Sequence, residues 1–434
     1  MRIAVTGGAG QLGTLVLERL IERDDVESIV CLDLTPPSVV ADNLTFVHAD
    51  VRDEDFGRHL QGIDGLFHFA FIVTQRVEPG VFDAVNVEGS KNVFTAGAKA
   101  GVKRFVYASS IAQYGIVPGH PEPIVEDTPR RLQDDFPYSA AKYRVELFLD
   151  DFVGEHPGVK VGRLRPAILL GTHMQNPGAK LLGRMLDRGW MIDSGTGVPM
   201  PLVWDEDVAD AAITILFDGH HGPFNLGADE PRTPSEIADA CGLSPVEPPA
   251  LLMKAMDVVV PALERLGIGE AVDPSWKRES SARVVMSSAK AVETLGWDRR
   301  CPTTVSVVQR YLDEAYGRTN PRVEAFLRLA SVGKSGGGDL GPVHLSLTGR
   351  GGGDWILSRT AGRIDVQRGL PRPPKGAVRL TTEAFVARVA DAARRAAFSP
   401  DEVTARGEGG LELLNALLDH GTSSRFGGWL RRLA

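Results

Sequence analysis

A tyrosine and a lysine stand four residues apart in the segment Tyr138-Ser139-Ala140-Ala141-Lys142. On a helix, this spacing places both side chains on one face. The phenol of tyrosine has a pKa of about 10, too high for a base at neutral pH, but a neighbouring ammonium favours the phenolate. Tyr138 can then exchange a proton with a substrate hydroxyl or carbonyl group. The pattern is common in proteins, and a surface helix is the alternative interpretation.

A hydroxyl group follows the apolar run of residues 105–108, at Ser110. We expect Ser110 to lie at the end of a strand and to hydrogen-bond the same substrate oxygen as Tyr138. A serine at a strand end is often only a cap, so Ser110 alone would not indicate a catalytic role. The functional interpretation rests on the order of the three residues, with Ser110 followed by Tyr138 and Lys142. We predict that Ser110, Tyr138 and Lys142 form the catalytic group.

A glycine-rich turn joins the first apolar run, residues 3–6, to the first amphipathic stretch. Gly7 permits a tight turn, Gly10 lets the backbone approach a pyrophosphate, and Gly13 lets the helix pack closely. The helix N-terminus then faces the phosphate charge. A glycine-rich turn without a ligand is the weaker alternative, because this turn lies between a strand and a helix. The predicted cofactor contacts of the turn are Gly7, Gly10, Gln11, Leu12 and Gly13.

Further cofactor contacts are expected where later strands end. Asp33 ends the second strand, where a carboxylate accepts hydrogen bonds from ribose hydroxyls and repels a 2′-phosphate. No arginine follows in residues 34–36, so NAD is favoured over NADP; a turn cap is the alternative for Asp33. The third and fourth strands end near the same sheet edge, and a turn residue is the alternative for Asp50. The contacts predicted there are Asp50, Val51, Phe69 and Ala70.

These residues require an α/β fold that brings strand ends together. Apolar runs alternate with amphipathic stretches such as residues 12–23 and 82–100, which predicts a Rossmann-type, doubly wound parallel sheet. The runs at 198–217 and 222–227 are interpreted as a return to the sheet. The other strand candidates are residues 3–6, 28–33, 45–48, 65–69, 104–109 and 160–164.

The length of 434 residues predicts more than one domain. We expect a dehydrogenase domain over residues 1–330, with its dinucleotide-binding core in about 1–170 and a small, mainly helical substrate cap from segments of 171–330. Residues 331–342, rich in glycine, predict a linker. Residues 343–434 are expected to form an α+β domain. Its strand candidates are residues 343–348, 354–358 and 364–367, and its helical patterns are 382–397 and 411–418.

The composition excludes some classes of protein. A formal net charge of −8 argues against a nucleic-acid partner, because phosphate binding needs a concentrated basic face. The three cysteines form no CxxC pair and fit a reducing cytoplasm. The most apolar later stretch, residues 248–266, is too short and too charged to span a bilayer. We expect a cytoplasmic protein with no nucleic-acid partner, no stable membrane insertion and no bound metal. The sequence leaves the oligomeric state open, with a homodimer as one possibility.

The motifs together resemble the extended short-chain dehydrogenases, which include nucleotide-sugar epimerases and dehydratases and 3β-hydroxysteroid dehydrogenases. The resemblance covers residues 1 to about 320 and rests on TGGAGQLG, HFA, YSAAK and Arg165-Pro166. It implies that Ser110, Tyr138 and Lys142 are the catalytic triad and that the lysine also binds the nicotinamide ribose. It further implies that Asn86 helps to hold the active-site backbone.

The residues after Pro166 bear on the substrate. Epimerases of this family typically carry an asparagine near position 168, where residues 167–170 of this chain are apolar. An apolar lining favours an apolar substrate, although these residues can also simply end a buried strand. We expect an NAD-dependent oxidoreductase acting on a secondary alcohol or ketone of a hydrophobic, sterol-, lipid- or polyketide-like small molecule. The alternatives are a nucleotide-sugar epimerase or dehydratase and a lipid-transfer protein with a regulatory dinucleotide site.

Residues 338–434 resemble a sterol carrier protein domain. The resemblance rests on residues 354–357, 362–366, 378–382 and 407–410. That family has a small twisted sheet covered by helices around an apolar tunnel for lipids. An assembly module with a filled core is the alternative, because leucines at helical spacing in residues 411–418 satisfy both.

Overall fold

The structure is a computed structural model in which the described residues fall into two compact units. The first unit comprises Met1–Lys180, Thr196–Thr233 and Pro249–Val307, and the second comprises Leu181–Gly195, Pro234–Pro248 and Val308–Ala434. The described residues are 1–73, 77–78, 80–171, 174, 177–186, 189–193, 195–246, 283–315, 323, 326–327, 330–331, 337–348, 353–368, 375–390, 403–407 and 409–423.

A seven-stranded sheet forms the centre of the first unit. All neighbouring strands are parallel, in the order β10-β6-β5-β4-β1-β2-β3. This confirms the predicted Rossmann-type sheet, whose near-continuous apolar strands suit burial on both faces. The strands are β1 Arg2–Thr6, β2 Ser28–Asp33, β3 Leu44–His48, β4 Gly65–His68, β5 Arg104–Ala108, β6 Lys160–Pro166 and β10 Gly222–Leu226.

Helices cover both faces of this sheet. Branched residues of β1 and of two helices form the core on one face, and phenylalanines such as Phe94, Phe105 and Phe152 fill the other. The helices of the first unit are α1 Gln11–Ile21, α2 Val81–Asp83, α3 Ser90–Ala100, α4 Pro137–Glu155, α6 Asp205–Asp218 and Ala289–Leu295. The other described helices before residue 316 are α5 Pro177–Leu186, α7 Pro234–Cys241 and Thr304–Ala315, of which α7 belongs to the second unit. None of the described helices is long and apolar enough to cross a membrane.

Two predicted elements differ from the structure. The helix predicted over residues 82–100 is interrupted, because a π-helical turn, Ala84–Gly89, separates α2 from α3. The return to the sheet predicted over residues 198–217 is mostly wrong. Only β9, Leu202–Trp204, is extended there, and it pairs with β7, Ile168–Leu170, outside the main sheet. The rest is α6, whose buried residues recur at helical spacing.

The second unit contains a five-stranded sheet in the order β14-β13-β12-β15-β16. The central pair β12 and β15 is parallel, and the other pairs are antiparallel. The helices Thr382–Ala390 and Gly410–Ser423 contribute to its apolar core, against which Trp190 packs. The strands of the unit are β8 Trp190–Ile192, β11 Ser244–Val246, β12 Leu340–Thr348, β13 Gly353–Thr360, β14 Arg363–Arg368, β15 Gly376–Thr381 and β16 Thr404–Gly407.

Some predicted segments fall partly or wholly outside the described residues. The apolar stretch 248–266 lies wholly outside them, as do residues 391–397 of the helix predicted over 382–397. β12 begins at Leu340, within the predicted linker of residues 331–342, of which 332–336 are not described. The sequence did not single out β16, which pairs with β15.

Candidate active site

The glycine-rich turn after β1 is shaped by close backbone contacts. Gly7 has a φ of +71°, and a Cβ there would lie 2.4 Å from the backbone nitrogen of Ala70. A Cβ on Gly13 would lie 2.1 Å from the carbonyl oxygen of Gly7, so α1 packs directly on the turn. A Cβ on Gly10 would lie 3.2 Å from the same carbonyl oxygen. Side chains at Gly7 and Gly13 would therefore disrupt the turn.

Helix α1 begins at Gln11, directly after this turn, with Gly10 as its N-cap. Glycine has no side chain to cap the helix, so the first N–H groups of α1 keep their capacity to bind an anion. Leu12 is buried, which holds the first turn of α1 against the core. The combination of a glycine-rich turn and a helix N-terminus fits the pyrophosphate of NAD.

Asp33 lies beside the turn at the end of β2. Its Oδ2 accepts a hydrogen bond of 3.0 Å from the backbone nitrogen of Ala9, and its Oδ1 accepts one of 3.1 Å from that of Thr35. The carboxylate therefore caps local backbone and also borders the predicted cofactor site. The predicted contact between Asp33 and the adenosine ribose stays a prediction.

Asp50 and Val51 follow β3. The Arg52 side chain donates hydrogen bonds to both carboxylate oxygens of Asp50, the shortest being 2.6 Å from Nη2 to Oδ2, and these bonds lower the pKa of Asp50. The structure thus gives Asp50 a local partner, and its predicted adenine contact is untested. Val51 is buried, and its carbonyl oxygen accepts a hydrogen bond of 2.8 Å from Asn92.

A chain of hydrogen bonds runs through the buried His68 at the end of β4. The Ser90 hydroxyl donates to the carbonyl oxygen of Asn86 at 2.6 Å, so it must accept from His68 Nε2, which lies 2.8 Å away. His68 Nδ1 then accepts from the Thr6 hydroxyl at 2.7 Å. Burial, followed by the charge of Lys142, lowers the pKa of His68 to about 3. A neutral His68 therefore joins β1, β4 and the π-helical turn.

The segment after β4 is held by two further contacts. The backbone nitrogen of Ala70 donates to the Thr6 hydroxyl oxygen at 3.4 Å, and Phe69 donates to the Thr6 carbonyl oxygen at 3.0 Å. The Asn86 amide donates to the carbonyl oxygen of Ile72 at 2.9 Å and accepts from its nitrogen at 2.7 Å. Asn86 thus holds backbone beside the candidate site, in agreement with the role that the resemblance implied.

Tyr138 and Lys142 lie in the first two turns of α4, which has a proline in its first turn. Lys142 Nζ donates a hydrogen bond of 2.6 Å to the carbonyl oxygen of Ala108, at the end of β5. The same nitrogen lies 5.7 Å from the centre of the Tyr138 ring. Burial lowers the pKa of Lys142, and the negative charge of Glu146 opposes this effect. The structure therefore brings the predicted phenol and ammonium together beside a strand end.

Ser110 begins the 3-10 turn Ile111–Tyr114 that follows β5. Its hydroxyl oxygen accepts a hydrogen bond of 3.2 Å from the nitrogen of Ala112, so it caps this turn while its own proton can still be donated. The Ser139 hydroxyl donates to the carbonyl oxygen of Ala112 at 2.6 Å. Because Ser139 adjoins Tyr138, this bond fixes the start of α4 against the turn that carries Ser110.

Glu146 is a buried carboxylate that the sequence analysis missed. Arg165 binds it through Nε and Nη2, each at 2.9 Å, and Arg163 and Ser109 donate further bonds at 3.0 and 2.7 Å. Burial alone would raise the pKa of Glu146, but the charge and hydrogen bonds of Arg165, with help from Arg163 and Ser109, lower it to about 2. The available signal was its position one helical turn beyond Lys142.

The surroundings of Tyr138 are apolar. Phe71, Ile72 and Val77 are partly buried and pack with Tyr138 around the buried Phe82. The Phe71 ring meets the Tyr138 ring edge to face, with 5.7 Å between their centres. The arrangement combines a proton-transfer group with an apolar wall.

Comparisons with known proteins identify the family of the chain. The model of the NAD dependent epimerase/dehydratase family matches residues 3–227. UDP-glucose 4-epimerase of Streptomyces lividans is 34% identical over 35% of this chain and 47% of its own length. A 3-beta-hydroxysteroid dehydrogenase of Mycolicibacterium neoaurum is 32% identical over 43% of this chain and 52% of its own. The chain thus spans about half the length of these curated relatives.

Solved structures extend the match. The crystal structure of UDP-glucose 4-epimerase from Thermus thermophilus in complex with NAD is 25% identical, with a TM-score of 0.56 over 73% of this chain and 99% of that one. A dTDP-glucose 4,6-dehydratase from Streptomyces venezuelae shares the fold, with a TM-score of 0.54 at 21% identity. With the family model matching more than half of the sequence, the chain belongs to the NAD dependent epimerase/dehydratase family of enzymes.

Proposed function

We propose that this enzyme interconverts a secondary alcohol and a ketone on a hydrophobic substrate, with NAD as the hydride carrier. The observation that carries the proposal is the apolar wall beside Tyr138, formed by Phe71, Ile72 and Val77, which pack with Tyr138 against the cluster of the buried Phe82. A charged or strongly hydrated substrate would lose its hydration against such a wall without gaining hydrogen bonds. An apolar substrate gains free energy by covering it.

NAD, when bound, supplies the hydride acceptor or donor. The residues that would hold it are the turn residues Gly7, Gly10 and Gly13, the α1 N-terminus at Gln11, and Asp33 at the ribose. The backbone donors of α1 would face the pyrophosphate. Asp33 supports a preference for NAD, because a 2′-phosphate beside this carboxylate would be repelled.

Proton transfer is assigned to Tyr138. In alcohol oxidation, the Tyr138 phenolate takes the hydroxyl proton while the ammonium of Lys142 favours that phenolate. The Ser110 hydroxyl donates a hydrogen bond to the substrate oxygen, without transferring its proton, and so orients that oxygen. The Ser139–Ala112 hydrogen bond supports this assignment, because it fixes the relative positions of the segments that carry Ser110 and Tyr138.

The apolar character continues at the far end of β6. Ile168 is 37% exposed, although it is a large apolar residue on a short strand. Of the nearby residues, Ala167 and Leu170 are buried and Leu169 is partly buried. Exposure of Ile168 at this edge supports a substrate contact there.

A nucleotide-sugar epimerase or dehydratase is the second candidate, favoured by the name of the Streptomyces lividans relative and by the NAD-bound epimerase structure. The two reactions differ in their net redox balance. We would incubate the purified enzyme with NAD and either hydroxysteroids or UDP-glucose, and follow NADH absorbance together with product analysis. Stoichiometric NADH with a hydroxysteroid supports the proposal. Conversion of UDP-glucose without NADH accumulation would replace it by the epimerase.

For the C-terminal part, we propose a sterol carrier protein-like lipid site. The mixed five-stranded sheet and its two described helices support it, because the sterol carrier protein family also has a small sheet covered by helices. The full-length protein should bind a fluorescent lipid, and truncation after Ser331 should abolish that binding and raise KM for a hydrophobic substrate. Absence of lipid binding, with an unchanged KM after truncation, would favour the assembly module.

A further inference from the structure

The Lys142 ammonium lies in a nearly dry site. The side chain is 2% exposed, and an ammonium carries three N–H donors that water would otherwise accept. One N–H has a strong acceptor in the carbonyl oxygen of Ala108 at 2.6 Å. The Tyr107 hydroxyl, at 3.5 Å, is a weak second acceptor. Among the residues that the structure describes, these two oxygens are the hydrogen-bond acceptors of Lys142, and they leave its charge incompletely solvated.

The face of the Phe71 ring completes this site. Lys142 Nζ lies 3.3 Å from the centre of that ring, closer than to the rings of Tyr107 at 4.9 Å and Tyr138 at 5.7 Å. The negative face of an aromatic ring attracts a cation, and the attraction is larger when the cation is desolvated. The Asn86 amide holds the backbone of Ile72, the next residue, and so limits the movement of the ring.

We propose that Phe71 is a positioning residue, whose ring face keeps the Lys142 ammonium charged in its dry site and thereby keeps Tyr138 in the range where it can act as a base. The inference rests on the proposed roles of Tyr138 and Lys142. The Phe71 ring meets the Tyr138 ring by its edge, so the same side chain contacts both members of the pair.

Besides Tyr138, three ionisable groups of the described residues interact with Lys142: Glu146, His68 and Tyr107. Glu146 on α4 opposes the effect of burial on the pKa of Lys142. The ionised Glu146 forms an ion pair with Arg165, 2.9 Å away. His68 on β4 is neutral because its pKa is lowered to about 3, and burial raises the pKa of Tyr107 on β5. A change at Phe71 leaves the side chains of all these groups in place.

The test is a titration of the Tyr138 phenol, followed by phenolate absorbance in the free enzyme and corrected with a Tyr138→Phe sample. Phe71→Leu keeps an apolar side chain but removes the ring, so the charged form of Lys142 becomes less stable. Because a charged Lys142 stabilises the Tyr138 phenolate, the phenolate then becomes less stable too. We expect the midpoint to rise by about one pH unit. Phe71→Trp keeps a ring face and should titrate as the wild type does. The limb of the pH–rate profile that reports Tyr138 should move in the same direction.

Two further variants serve as positive and negative controls. Lys142→Met removes the charge and should give the largest rise in the Tyr138 midpoint. Phe148→Leu, which changes a ring that packs on Phe152, should leave the midpoint unchanged. If Phe71→Leu does not fold, Phe71→Met makes the same comparison.

An unchanged midpoint in Phe71→Leu beside a shifted Lys142→Met would overturn the inference, as would an equal shift in Phe71→Trp. If the titration midpoint of Tyr138 does not shift in Lys142→Met, Lys142 is not coupled to Tyr138, and the proposed role of Phe71 is wrong as well. The titration needs no substrate, so an incorrect substrate class leaves it valid.

Discussion

Gln11 and Asp205 are joined by a hydrogen bond of 2.8 Å from the amide Nε2 to the carboxylate Oδ2, across 194 residues of sequence. Asp205 is 1% exposed and is the first residue of α6. A Cβ on Gly171, just beyond β7, would lie 2.0 Å from the same Oδ2. The glycine-rich turn, the end of β7 and the start of α6 therefore meet at one carboxylate.

This contact predicts that Asp205 supports cofactor binding without touching the cofactor. Gln11→Leu and Asp205→Asn should each raise the Kd for NAD. The loss of binding free energy in the double variant should be smaller than the sum of the two single losses by about 1 kcal/mol. Asp210→Asn is the matched control, because Asp210 on α6 pairs with Arg19 on α1 away from the turn. The binding free energies can be measured by calorimetry in a double-mutant cycle. Additive losses would show that the hydrogen bond between Gln11 and Asp205 does not support NAD binding and contributes only to the stability of the fold.

Removal of the Tyr138 hydroxyl should separate chemistry from binding. Tyr138→Phe should lower turnover by about 10²–10⁴-fold, because general acid–base catalysis contributes that range, and should leave NAD affinity nearly unchanged. Tyr143→Phe, on the same helix, is the control and should retain turnover. Steady-state kinetics beside NAD titrations make the comparison. Wild-type turnover in Tyr138→Phe would remove this residue from the mechanism.

Asp33→Ala should change the choice of cofactor. Loss of the carboxylate removes a ribose acceptor and the repulsion of a 2′-phosphate, so the Kd for NAD should rise and the preference over NADP should narrow. Asp24→Ala is the control, because Asp24 is exposed, and this variant should leave both dissociation constants unchanged. Both dissociation constants can be measured by fluorescence titration. If neither changes, Asp33 acts only as the cap of Ala9 and Thr35.

His68 should make the first unit sensitive to acid. Its pKa is about 3 in the folded protein and 6.5 when unperturbed, so the unfolded chain binds the extra proton as the pH falls between these values. Stability from the neutral imidazole is therefore complete above about pH 6.5 and decreases by about 1.4 kcal/mol per pH unit below it.

The comparison is with His68→Gln in urea unfolding at several pH values. The variant should be less stable at neutral pH, because its hydrogen-bond chain is altered, but its stability should fall less steeply on acidification. Replacement of the exposed His221 by glutamine should leave the slope unchanged. Parallel curves for the wild type and His68→Gln would contradict the prediction.

Much of the fold could be predicted because a parallel sheet leaves a clear pattern. β2, Ser28–Asp33, has the predicted bounds, and β1, β3, β4 and β5 differ from prediction by a residue at one end. The catalytic group followed from local spacing, since Tyr138 and Lys142 share a helix face whatever surrounds them. The prediction over residues 198–217 failed because a short strand and an apolar helix follow each other without a break in hydrophobicity.

The polar partners could not be predicted in the same way. Glu146 reads as one more acidic residue on an amphipathic helix, yet it is fully buried against Arg165, 19 residues away. Asp205 and His68 likewise bind residues distant in sequence. Such contacts follow from the completed fold, because buried polar groups take whichever partner the packing supplies.

The π-helical turn Ala84–Gly89 also limits how this chain can change in length. A π-helical turn holds one residue more than an α-helical turn, so its loss is equivalent to a deletion of one residue. Asn86, which binds Ile72, and Ser90, which binds His68, lie within and just after this turn. A deletion that restored a regular helix would rotate one of these side chains relative to the other by about 100°. Single-residue deletions should therefore be tolerated less in residues 84–89 than point substitutions at the exposed Glu88.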